Sequence, residues 1–102
     1  MNVGALCVRL LVRESHSLKD KRQVVRSIKD RIRNTFNVSV AEVEAEEHRQ
    51  VVVLGFAMVC NESGPIRRTF EQIVAALRSH PIAEYVSHED EIQKPCLEGG
   101  YS

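Results

Sequence analysis

The sequence predicts a single α+β domain in which strands and helices follow the order strand, helix, strand, strand, helix, strand. Three observations carry that expectation: an alternating apolar pattern near the N-terminus, two stretches of helical apolar spacing, and a long apolar run between them. A chain of 102 residues can bury one core but leaves no room for a separate catalytic domain. The hydrophobic share of 43% and the charged share of 27% are ordinary for a globular protein, so large-scale disorder is not expected.

Leu6, Val8, Leu10 and Val12 alternate with Cys7, Arg9 and Leu11, the period-2 signature of a strand with one strongly apolar face. Ser17 then stands three residues before Asp20, where a side chain can cap the first amide donors, so a helix is expected from about Leu18 to Phe36. Its apolar stripe is Val25, Ile28, Ile32 and Phe36, flanked by Leu18 and Val24. Val38, Val40 and Val43 predict a second strand that turns at Glu46, Glu47, His48 and Arg49. The run from Val51 to Cys60 reads as a central strand, covered on one face and partly shielded on the other. Gly64 and Pro65 punctuate the chain before a second helix, marked by Ile66, Phe70, Ile73 and Leu77 and stopped by Pro81. Tyr85, Val86 and Ile92, mixed with charges, predict a solvent-edged last strand.

Two helices that each link strands, with a hairpin between the halves, match the split βαβ pattern. The expected fold is therefore a ferredoxin-like βαββαβ sandwich with an antiparallel sheet of order 4-1-3-2 and both helices on one face. The domain spans 1–93, and the tail 94–102, without periodicity, reads as mobile. The second strand, with Glu42, Glu44 and Glu46, reads as an edge defended by charge.

Fourteen Lys and Arg balance fourteen Asp and Glu, so only the distribution of charge is informative. Lys19, Arg22, Arg26, Lys29 and Arg33 are spaced by three, four, three and four residues and fall within roughly an 80° arc of the first helix. This row lies beside the apolar stripe and contains no carboxylate, which suits contact with RNA phosphates; the rival reading is the solvated face of an amphipathic helix. A second candidate surface is the helix-free face of the sheet. With Gly55, Ala57 and Val59 turned toward the helices, Leu54, Phe56 and Met58 join Leu11 and Cys7 on that open face, where a homodimer or another protein would cover them. With the opposite parity these residues are core.

The run from Leu54 to Val59 partly resembles the third-strand signature of RNA-recognition motifs, but only Phe56 supplies a stacking ring. His88 beside Glu89, Asp90 and Glu91 reads as a charged edge rather than a metal site, and His16 as a loop residue rather than an anion contact. No phosphate-binding loop, zinc-helix motif or nucleophile elbow occurs, so neither catalytic residues nor a cofactor or metal are expected. Cys7, Cys60 and Cys96, without a C-x-x-C pair, suit reduced thiols. The longest apolar run is far too short to span a bilayer, and a cytoplasmic location is expected.

The string Ser15, His16, Ser17, Leu18, Lys19, Asp20, Lys21, Arg22, together with the run from Phe36 to Val43, resembles the YlxP-like family of small bacterial proteins. The resemblance covers about residues 1 to 92. It implies a ferredoxin-like fold and, because such genes often lie beside those of translation initiation and ribosome maturation factors, a translation-linked role. It carries over no catalytic residues. The reading is a non-enzymatic RNA-binding or ribosome-associated accessory protein that uses the first helix; the alternative is a protein-interaction module, homodimeric or otherwise, that uses the open sheet face.

Overall fold

The computed structural model of the chain describes residues 1–13, 18–45 and 50–95. Within them run β1 (Asn2–Leu11), α1 (Leu18–Thr35), β2 (Ser39–Ala45), β3 (Val51–Cys60), α2 (Ser63–Arg78) and β4 (Glu84–Gln93). The four strands form one antiparallel sheet of order β2-β3-β1-β4, with the two most apolar strands in the centre and the charged strands at the edges. This is the ferredoxin-like arrangement that the element order predicts. The expected cap at Ser17, the turn at Glu46, Glu47, His48 and Arg49, and the tail from Cys96 onward lie outside the described residues.

One ladder sets the core. β1 and β3 pair so that Leu6 faces Phe56, Val8 faces Leu54 and Leu10 faces Val52 across the strands. Directly paired residues point to the same side of a sheet, so these six side chains form one apolar surface. It is covered by Val25, Ile28 and Ile32 of α1 and by Ile66, Phe70, Ile73, Val74 and Leu77 of α2, all buried. Val24 and Phe36 pack at the margin, as helical spacing from the buried stripe requires.

The register corrects the parity given to β3 by its sequence alone. Leu54 is 0% exposed and Phe56 3%, and Met58 is half-buried against the same cluster, so all three belong to the core and not to the open face. Cys7 and Leu11 do lie on the open side, with Gly55, Ala57 and Val59. A strand that is apolar on both faces does not choose its own orientation. The choice follows from pairing with β1, whose larger side chains alternate cleanly, and it places Leu, Phe and Met where two helices supply the volume to be filled.

α2 also begins earlier than its punctuation suggests. Gly64 and Pro65 lie within the first turn, where the missing proline N–H has no intrahelical partner to lose, and Glu62 occupies the cap position without a side-chain cap bond. The helix closes at Ser79, whose hydroxyl donates to the Ala75 or Ala76 carbonyl at 3.2 and 3.1 Å. Gly4 of β1 lets this helix approach closely. A Cβ there would meet the Ile66 side chain and stand 2.9 Å from the Phe70 ring.

Two expected outcomes follow from this packing. Gly4→Ala should destabilise by about 1–3 kcal/mol through overpacking, read as a lower urea midpoint at unchanged slope. Phe56→Glu buries an unpaired carboxylate in the core and should abolish the cooperative unfolding transition, whereas Ala57→Glu, one residue along and exposed, should leave a chain that still unfolds cooperatively. Equal effects of the two substitutions would contradict the observed parity.

Candidate functional site

α1 docks through its apolar stripe and turns its remaining circumference outward. Arg22, Arg26 and Arg33 are exposed and Lys29 is half-buried, so four members of the sequence-predicted row emerge along one edge of the helix. The side chain of Lys19 lies outside the described residues. From Arg22 to Arg33 the row extends for about 16 Å at 1.5 Å per residue. Two features qualify its simple reading as a bare cationic stripe. Arg33 Nη1 donates to Asp30 Oδ1 at 3.3 Å, and Arg22 takes part in an interaction within the chain. The Arg33 pair is exposed on both sides and is therefore weak. Lys21, by contrast, lies on the docking side and is buried.

The helix layer is basic as a whole, which spacing within α1 does not disclose. α1 and α2 together contain ten Lys and Arg against three Asp and Glu, whereas the four strands contain one Arg against six acidic residues. Arg31 on α1 and Arg67 and Arg68 on α2 are exposed and add to the same layer. The signal for Arg67 and Arg68 was present in the charge content of the second helical segment. Arg78 is committed elsewhere, its guanidinium 4.1 Å from the centre of the Tyr85 ring.

The open face of the sheet differs from its sequence-based picture. From β2 to β4, one row consists of Glu44, Val53, Arg9 and Ser87; the next of Ala41, Gly55, Cys7 and Glu89; the next of Ser39, Ala57, Ala5 and Glu91. A bulge in β2 lays Val43 over Gly55, where a Cβ would stand 2.7 Å from its Cγ1. The result is a shallow hollow of about 520 Å³ with a floor of small apolar residues and an acidic rim along β4. Phe56, the ring that the sequence offered for base stacking, is on the other side of the sheet.

Among the described residues no group of three or more His, Cys, Asp or Glu side chains is placed to hold a metal ion. His88 accepts or donates a 2.5 Å hydrogen bond with the Tyr85 hydroxyl, while Glu89 and Glu91 share the open face. His16 lies outside the described residues. His80 serves the fold, since its Nδ1 accepts from the backbone N–H groups of Ile82 and Ala83 at 3.2 and 3.0 Å and so fixes the turn between α2 and β4. Burial, and then the positive charge of Arg31, hold its pKa below the ordinary 6.5. Among the described residues no helix is long and apolar enough to cross a membrane.

Residues 3–90 match the family described as protein of unknown function, DUF503. The chain belongs to this family. It is 30% identical over 74 residues to the uncharacterized protein YlxP of Bacillus subtilis (strain 168), a match that covers 72% of this chain and 80% of the relative. Among solved structures, the crystal structure of "Putative Chlorite dismutase TA0507" superposes with a TM-score of 0.52 at 15% identity over 90% of this chain. The chain spans only 44% of that protein, and at this identity the likeness concerns the ferredoxin-like fold alone.

The His80 turn has a pH signature. Because the folded state lowers this pKa, the unfolded chain binds the proton more readily, and the histidine's contribution is present above pH 6.5 and is lost as pH falls from there through the folded value. Thermal melts should show stability declining across that window, and His80→Ala should flatten that part of the profile. A wild-type profile that rises with falling pH in the same window would contradict the assignment.

Proposed function

We propose that this chain is a non-enzymatic RNA-binding accessory protein of the translation apparatus, which holds RNA phosphates against the outer edge of α1. The observation that carries the reading is the row of exposed Arg22, Arg26 and Arg33 with half-buried Lys29, on a layer with more than three times as many basic as acidic residues. Guanidinium and ammonium groups on a rigid helix meet phosphate oxygens without reading bases, so the contact fixes position and supplies affinity with little sequence discrimination. The acidic strands repel the same polyanion from the rest of the molecule and orient its approach. The Asp30 pair leaves Arg33 usable, since an exposed ion pair is readily exchanged for a phosphate. The link to translation rests on the resemblance to YlxP-like proteins.

Binding should be strongly dependent on salt. If the four described residues, or five with Lys19, displace counterions from a single strand, log K falls against log salt with a slope of about −2.8 to −3.5, a loss of roughly fifty- to a hundredfold between 50 and 200 mM. Arg22→Glu combined with Arg26→Glu should weaken binding to different RNA sequences alike while circular dichroism reports an intact fold. Fluorescence anisotropy with ribosomal RNA fragments reads both effects. Wild-type protein that fails to bind RNA at low salt, or a double variant that binds as tightly, would overturn the proposal.

A further inference from the structure

We infer that the open face of the sheet is the interface of a homodimer, with β1 of each copy lying over β3 of the other about a two-fold axis parallel to the strands. This goes beyond RNA binding and is independent of it, because α1 is in the opposite layer. The centre of the face is apolar and shallow: Ala5, Cys7 and Ala57 are exposed there, with Gly55 between them. Val59 extends the same surface and is 59% exposed. Small side chains let two sheets stack at about the 10 Å usual for aligned sandwiches.

Area and charge both favour a second copy. Three strands of ten residues and one of seven, about 4.8 Å apart with about 3.3 Å per residue, offer roughly 600 Å² per copy, so a pair buries about 1,200 Å², the lower bound of a stable interface. Charge then selects the axis. An axis running across the strands would stack β4 on its own copy and confront Glu89 and Glu91 with the same carboxylates. An axis along the strands places that acidic edge over the partner's β2, where Ser39, Ala41 and Val43 are neutral, and leaves the carboxylates at two separate rims open to water. In the row of Glu44, Val53, Arg9 and Ser87, the same operation brings Arg9 within one strand of the partner's Glu44. The contact occurs twice by symmetry. The arrangement is self-complementary and closes at two copies, with an apolar middle and a polar rim. Both helix layers, and so both basic rows, face outward.

Sedimentation equilibrium of the RNA-free chain should give twice the chain mass, and Ala57→Glu should give a folded monomer. Arg9→Glu and Glu44→Arg should each raise the dimer dissociation constant about tenfold, and the two together should restore it. With Cys60 and Cys96 replaced by Ser, a short bismaleimide should join two copies through Cys7, because the axis passes between these residues. Should Ala57→Glu fail to fold, the Cys7 crosslink and the charge swap decide the matter on an otherwise native surface. A wild type that remains monomeric at high concentration, a dimer unaffected by Ala57→Glu, or a charge swap that does not recover would each overturn the proposal. Sedimentation of a monomer saturated by a different protein would do the same.

Discussion

The antiparallel register between β1 and β3 is the constraint on which the rest of the molecule depends. By setting Leu6 against Phe56, Val8 against Leu54 and Leu10 against Val52, it collects the bulky side chains of both central strands on one surface. A slip of one residue in β3 would bring Gly55 and Ala57 inward and leave the helices above a void, at a cost of several kcal/mol for each large side chain withdrawn. The helices dock where volume is supplied. Their docking in turn fixes which sides of α1 and α2 meet water, and so where the cationic groups stand.

That same register leaves the other surface of the sheet to the smaller residues. Ala5, Cys7, Gly55 and Ala57 form its middle, and the β2 bulge tucks Val43 over the one position in β3 that has no side chain. Gly4 plays a matching role on the covered side, where it admits Ile66 and Phe70. Neither glycine has a positive φ; both are used for close approach rather than for backbone freedom. The sheet is therefore asymmetric in thickness as well as in cover.

Charge is divided by layer. Helices, which have a whole outer circumference in water, carry most of the Lys and Arg, whose long stems also cover apolar surface at the helix margin. The edge strands carry carboxylates, which discourage further strand pairing. With a formal net charge of zero, the molecule is nevertheless a dipole across its two layers. At the turn into β4, His80 Nδ1 accepts from the backbone, while burial and then the charge of Arg31 disfavour its protonation.

Local pattern was enough to place the elements, their order and the centrality of β1 and β3, because periodicity is a local property and a strand apolar over ten residues has few places to go. It also determined that Arg22, Arg26, Lys29 and Arg33 share one edge of α1, since helical geometry converts spacing directly into direction. Long-range packing is what selects the buried face of β3. Its pattern is apolar on both sides, and the pairing partner and the volume offered by the helices are non-local facts that no window on residues 51–60 contains. The same holds for the joint basic layer made by two helices far apart in sequence, and for the Asp30 contact that tempers Arg33. Burial of Lys21 is a further case: its position on the docking side was implicit in the helical period, but only packing between layers makes that position a buried one.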